Sequence, residues 1–273
     1  MSNSNAKSPI GVFDSGVGGL SILNSLRLTL PNEDFVYFGD SANAPYGDKS
    51  ADELTTLTQR IVQFLHSEHG IKFLVVACNS SSSVVPDYLS KFDNLSCLTP
   101  VDPVAEHIRK HDWWDDVGVL ATRRTVDSNI YADKINALAP GVHIHQLACP
   151  GLVDLIEAGQ ADAPECRELA HSFAAQLSQQ CEDMDAVILG CTHYPLVAHH
   201  IRTEFLPKTN LLNPAGLLAD ATYDWLSERE LLNNGVSKGS ITCYTSGDPE
   251  TFAQTVRQLS LPHLGPIKPL AAD

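Results

Sequence analysis

The chain has 273 residues, of which 43% are hydrophobic and 19% charged, the balance of a globular protein with enough apolar surface to build a sizeable core. Its formal net charge of −15 repels a phosphate backbone, so nucleic acid is not an expected partner. No apolar run reaches bilayer length, so no membrane span is expected either.

From the amino terminus, residues 1–8 are small and polar and lack the basic start and apolar run of a signal peptide. They read as a short disordered lead-in to a cytoplasmic protein. Apolar runs at 10–13, 35–38, 73–77, 117–121 and 186–189 then read as buried strands. Helix-like segments at 20–30, 52–69, 104–111, 129–138 and 164–181 lie between them. Within 52–69, Leu54, Leu57, Ile61, Phe64 and Leu65 fall on one apolar stripe. Strand–helix alternation with uniformly apolar strands predicts an α/β fold built on mainly parallel sheets flanked by helices.

The run from Phe73 to Ser80 is echoed by the run from Ala186 to His193: an apolar strand, a small residue, a Cys and two polar residues. The echo predicts two similar lobes, each presenting one Cys, with the site between them. Pro and Asn punctuation at 94–103 and 207–214 marks two crossovers. The first lobe is then discontinuous, 1–101 plus 212–273, and carries Cys78. The second, 102–211, carries Cys191.

Seven Cys are scattered without a C-x-x-C pair, which points to reduced thiols. Cys78 and Cys191 stand out because each ends an apolar strand and leads into polar residues. A helix starting just after each would offer free N–H groups and favour the thiolate. Two opposed thiols suit inversion of an amino-acid α-carbon, where one face loses a proton and the other gains one. Such chemistry needs no metal and no organic cofactor if the carbanion is stabilised. None is therefore expected.

Other residues cluster at strand ends. The segment from Asp14 to Gly19 follows the first strand, where its amides could cradle an anion or form only a tight turn. It fits neither a Walker A motif nor G-x-G-x-x-G. Asp14 and Ser15 could hold an ammonium or orient a Cys. In the loop from Gly39 to Gly47, Tyr46 could cap a pocket. His193 is either a proton partner or a hydrogen-bonded residue of a helix start. With Cys191, His199 and His200 it matches no metal spacing. His143 and His145 alternate along a strand-like run and share a half-solvated face. The acidic segment from His111 to Asp116 holds two Trp whose rings pack under a solvated rim or meet a partner.

Together these motifs resemble the glutamate racemase family. The resemblance runs in order from Ile10–Leu20 through Gly39–Gly47, Ala77–Ser80 and Ala148–Gly159 to Gly190–Leu196. It implies reversible interconversion of L- and D-glutamate without a cofactor, an isomerase activity that supplies D-glutamate for bacterial peptidoglycan synthesis. It implies that Cys191 takes the proton from L-glutamate while Cys78 supplies one, with the roles reversed for D-glutamate. Asp14 would assist Cys78, His193 would assist Cys191, and Glu157 would sit near the second. Asp14, Ser15, Tyr46, Gly47, Asn79, Ser80, Thr122, Thr125, Thr192 and His193 match substrate-binding positions. A homodimer is expected.

The chain departs from the family at Ser80–Ser83, where Thr-Ala-Ser-Ala is more usual, and at Ala121–Thr125, where a Gly-Thr pair is usual. Leu212-Asn213-Pro214 replaces an Asp-Ser stretch. The amino terminus lacks the extension of members activated by a cell-wall precursor, so that activation is not expected. Aspartate racemases share the cysteine pair but tend to carry Glu after Cys-Thr. His193 favours glutamate there. A binding member that inhibits DNA gyrase without catalysis is the alternative of a different class.

Overall fold

Among the residues described by the computed structural model of this chain, 4–89, 92, 95–261 and 265–270, ten strands form two sheets. They are β1 (Ile10–Asp14), β2 (Phe35–Gly39), β3 (Phe73–Val76), β4 (Cys97–Leu98), β5 (Asp116–Ala121), β6 (His143–Ala148), β7 (Ala186–Gly190), β8 (Asn210–Leu212), β9 (Ile241–Thr245) and β10 (Ile267–Pro269). The first sheet has the order β10-β9-β2-β1-β3-β4 and the second β6-β5-β7-β8, with every ladder parallel. The protein is α/β, with helices on the sheets' faces.

Parallel strands covered on both faces need apolar residues at successive positions. Along β1, Ile10 and Val12 pack with Leu20, Leu23, Leu26 and Leu218, while Phe13 packs with Ile61, Leu65 and Val76 on the other face. The predicted stripe lies on the helix Ala51–His69. Ser50 and Glu53 form a reciprocal capping box at its start, and Gly70 closes it in the left-handed conformation at φ 56°. No helix among the described residues is long and apolar enough to cross a membrane.

The chain leaves the first sheet after β4. The helix Val101–Arg109 already packs on the second sheet, against Val117, Val119 and Ile188. The return follows β8, where Asn213 caps the helix Pro214–Glu228 and Pro214 stands at its first turn. That helix buries Ala215, Leu218, Ala219 and Leu226 in the first lobe and sets Leu217 against the second.

Three features differ from the sequence reading. Ser4–Lys7 forms a 3-10 turn instead of a disordered lead-in, and the Lys72 ammonium holds it by a 2.6 Å bond to the Ala6 carbonyl. Residues 1–3 of the lead-in and Asn94 of the first crossover lie outside the described residues. The two Trp part company: Trp114 is buried under His111, whereas Trp113 is 66% exposed. The strands β4, β8, β9 and β10 are short or partly polar and carry little apolar signal.

Candidate active site

The parallel sheets aim six strand ends at one cleft. Ser15 follows β1, Tyr46 and Gly47 follow β2, and Cys78, Asn79 and Ser80 follow β3. Thr122 follows β5, Val153 follows β6, and Cys191, Thr192 and His193 follow β7. These residues line a small cavity of about 20 Å³ between the lobes. Carboxyl ends of parallel strands are where such folds gather chemistry, because the loops there are free to vary. The two cysteines enter this cavity from different sheets.

Their surroundings differ. Cys78 is buried at the end of β3 and begins only a four-residue helical turn, Asn79–Ser82. Burial pushes its thiol up to about 12, and the Asp14 carboxylate adds to the rise. The neighbouring Ser81 amide and hydroxyl dipoles pull it down and do not prevail. The expectation of a thiolate favoured by a following helix fails here, because one short turn has too few aligned peptides to offset burial and a nearby anion.

Asp14 is fully buried. One of its oxygens accepts the Gly16 amide at 3.1 Å and the other accepts the Thr192 hydroxyl at 3.2 Å. Burial raises its carboxyl above the usual range, and the opposing His193 charge and the Gly16 and Gly19 amides do not cancel that.

On the other side, Cys191 Sγ lies 3.7 Å from His193 Nδ1, and His193 Nε2 lies 2.6 Å from Glu157 Oε1. Burial disfavours a charged His193, yet the hydrogen bonds to Cys191 and Glu157 and the Glu157 charge outweigh it and raise the ring well above its ordinary value. Glu157 is correspondingly held low. Its burial works against ionisation, but His193 and the Val17 amide, which donates to Oε1 at 3.3 Å, prevail. The result is a file of sulfur, imidazolium and carboxylate.

The expected site residues fall into two layers. Ser15, Tyr46, Gly47, Cys78, Asn79, Ser80, Thr122, Cys191, Thr192 and His193 line the cavity. Asp14, Glu157 and Thr125 stand behind and hold the lining residues. The Thr125 hydroxyl is 3.0 Å from that of Thr122, which in turn lies 2.9 Å from Ser80 Oγ. The serine run is therefore wired in: Ser82 bonds the Cys78 carbonyl at 2.9 Å and Ser83 the Ser80 carbonyl at 2.9 Å.

Three contributors escaped the sequence reading. Val153 supplies an apolar wall, and its position four before Glu157 on one helix was a usable signal. Tyr131 donates a 2.7 Å bond to Asn79 Oδ1 from the other lobe. Asp40 accepts from the Tyr46 hydroxyl and, at 2.9 Å, from Asn43. Nothing in local sequence pairs Tyr131 with Asn79.

The family described as Asp/Glu/Hydantoin racemase matches the chain over residues 18–222. A glutamate racemase of Herpetosiphon aurantiacus is 40% identical over 92% of this chain and 96% of its own length. The crystal structure of glutamate racemase from Thermus thermophilus in complex with beta-chloro-D-alanine has a TM-score of 0.85 at 35% identity, covering 97% of this chain and 98% of that one. That of the Francisella tularensis glutamate racemase in complex with D-glutamate has a TM-score of 0.88 at 28% identity, over 97% and 98%. Matching sequence over nearly full length, matching fold and a cleft with paired cysteines converge, and the chain belongs to the glutamate racemases of the Asp/Glu/hydantoin racemase family and is an isomerase.

Proposed function

We propose that the protein interconverts L- and D-glutamate by a two-thiol mechanism without a cofactor. The observation that carries this reading is the delivery of Cys78 and Cys191 into one cavity from the ends of β3 and β7. The glutamate specificity draws on the relatives, one of which holds D-glutamate in its crystal.

In the L-to-D direction, Cys191 acts as thiolate and takes the α-proton. The C–H electron pair stays on the substrate as a carbanion delocalised into its carboxylate. Cys78 then delivers its S–H proton to the opposite face, leaving Cys191 as thiol and Cys78 as thiolate. The reverse assignment serves D-glutamate. His193, backed by Glu157, offers a positive partner to Cys191, and Asp14 attends Cys78. Ser15, Asn79, Ser80, Thr122 and Thr192 supply short polar groups for the substrate's ammonium and carboxylates. The enclosed cleft strengthens each of these interactions by excluding water.

We take the lobes as 1–101 plus 212–273 and 102–211; the membership of β5–β8 in one sheet supports the division in outline, with Leu212 still paired to Ile188 of the second sheet. A cytoplasmic homodimer supplying D-glutamate to peptidoglycan synthesis completes the proposal and rests on family membership.

The test is incubation with each enantiomer of glutamate in deuterium oxide. Racemisation with α-deuterium incorporation is expected, and Cys78→Ser and Cys191→Ser should each abolish racemisation. Racemisation of aspartate but not glutamate would overturn the substrate. Full racemisation by either variant would overturn the two-thiol mechanism.

A further inference from the structure

Three donor groups that this reaction does not use, Asp116, His145 and Cys181, meet at the opposite end of the second sheet, and a fourth, His143, stands beside Asp116. Asp116 opens β5 and pairs in register with His143 on β6. His143 and His145, two apart on a strand, share a face. Leu147 continues that row and packs with Leu120 and Cys181, so the row faces the side of the sheet covered by the helix Pro164–Ser178. Cys181 comes just after this helix. Asp116 Oδ1 lies 2.7 Å from His145 Nε2 and 3.7 Å from His143 Nδ1. The donor atoms of Asp116, His145 and Cys181 all lie within 4.8 Å of one another. The length of β5 sets this cluster about 20 Å from Thr122, at about 3.3 Å per residue.

We propose that Asp116, His145 and Cys181, with the exposed His143 turning in as the fourth ligand, form a structural site for a zinc-class divalent metal. Two imidazoles, a thiolate and a carboxylate are the donors such an ion selects. Around a tetrahedral zinc, donor atoms stand roughly 3.3–3.8 Å apart, given bonds of about 2.0 Å to nitrogen and 2.3 Å to sulfur. The mutual spacing of the Asp116, His145 and Cys181 donors, all within 4.8 Å, admits that range, and the ion would replace the direct Asp116–His145 hydrogen bond and draw His143 in from beside Asp116. Charge also balances: one thiolate and one carboxylate neutralise a divalent cation while both imidazoles stay neutral. A plain Asp–His pair would account for two of these side chains and leave the approach of Cys181 and His143 without a role. The expectation of a metal-free chain arose because positions 116, 143, 145 and 181 form no motif in sequence. Only the β5–β6 register and the end of the following helix bring them together. With His143 drawn in, four protein ligands close the coordination sphere, and the site is then a clamp joining the edge strand β6 to β5 and to the helix end.

The test uses the purified full chain, reduced and stripped with EDTA, then titrated with Co²⁺ and Zn²⁺. One equivalent of cobalt should give a thiolate-to-metal charge-transfer band that zinc displaces, and zinc should raise the melting temperature by a few degrees. Cys181→Ser should abolish the band, and His143→Ala, at an exposed position that folding does not need, should weaken zinc binding by ~10-fold or more. A band that survives both changes but vanishes in the Cys78→Ser/Cys191→Ser double variant would overturn the proposal in favour of the cleft. Metal uptake without any thiolate band would overturn it in favour of the thiol-free cluster Asp162, His199 and His200. No uptake would overturn it outright.

Discussion

Replacing Glu157 by Gln removes one charge and little else. Its Oε1 accepts from His193 at 2.6 Å and from the Val17 amide at 3.3 Å, and the carbonyl oxygen of Gln can accept both. What disappears is the anion that helps hold His193 as an imidazolium. A charge-assisted hydrogen bond contributes about 1.5–3 kcal/mol and a neutral one about 0.5–1.5. The difference, about 1–1.5 kcal/mol, is roughly a tenfold change in rate. The sign follows from the cause. Glu157 raises the His193 ring, so its loss lowers it, and the imidazolium then deprotonates at lower pH. The alkaline limb of kcat/KM should therefore move to lower pH, with kcat/KM about tenfold lower. The loss must be equal from L- and from D-glutamate, because enantiomers have equal free energy in water and the ratio of the two kcat/KM values is fixed by equilibrium. Circular-dichroism progress curves from both enantiomers, from neutral to strongly alkaline pH, give these values. An unmoved alkaline limb with wild-type kcat/KM would refute the reasoning that Glu157 acts through the charge on His193.

Tyr131→Phe removes the 2.7 Å anchor of Asn79 in a buried setting, so KM should rise and the urea midpoint should fall by an amount worth about 1–3 kcal/mol. Wild-type values of both would show that Asn79 needs no anchor from the second lobe. Gly18→Ala places a Cβ 2.5 Å from Thr192 Oγ1 and 2.7 Å from the His193 ring, so kcat should fall at least ~10-fold and stability by about 1–3 kcal/mol, read by steady-state kinetics beside thermal melting. A kcat within twofold of wild type would show that the cleft can yield there. The Cys78 thiol, pushed up to about 12 when folded and near 9.0 when exposed, keeps its proton in the native state while the unfolded chain releases it. That stability is complete below about pH 9 and is lost as pH climbs towards 12. The urea midpoint of the wild type should then fall more steeply above about pH 9 than that of Cys78→Ser, and parallel curves would contradict the shift.

The parts of this structure that sequence made legible are those where one physical demand dominates a stretch. The strands β1, β2, β3, β5 and β7 sit in the interior of their sheets, and all but the first residue of β5 are buried, so they must be apolar almost throughout. The helix Ala51–His69 announces its stripe and both of its caps. By contrast β4 and β8 are two and three residues long, too short for any period, and β6 is an edge strand with histidines on one face. The cleft was legible because its residues directly follow buried strands. The supporting layer was legible only in part. Asp14 and Glu157 stood out through motifs, whereas Tyr131 and Asp40 matter through contacts made by folding. The ionisation of Cys78 was misread because burial and the field of Asp14 are properties of the assembled site, and no local pattern encodes them.

The two thiols occupy equivalent places in similar lobes, yet each is attended from across the cleft. Asp14, beside Cys78, bonds Thr192 of the second lobe, and Glu157, behind Cys191, bonds the Val17 amide of the first. Asn79 meets Tyr131, Ser80 meets Thr122, and the Gly47 carbonyl accepts from the Arg124 amide at 2.8 Å, each pair again joining the two lobes. Parting the lobes would break these bonds together, and with them the alignment of His193 on Cys191. On the proposed two-thiol mechanism, assembly of the acid–base apparatus and enclosure of the substrate are then one event. Each bond contributes about 0.5–1.5 kcal/mol net, so opening costs about a few kcal/mol, small enough for release on the microsecond-to-millisecond scale of lobe motions. The cleft can thus be dry and fully wired during proton transfer and still exchange substrate between turnovers. Strengthening the seam should slow release before it alters the chemistry, because the added bonds would be made in the closed state alike with substrate and with product.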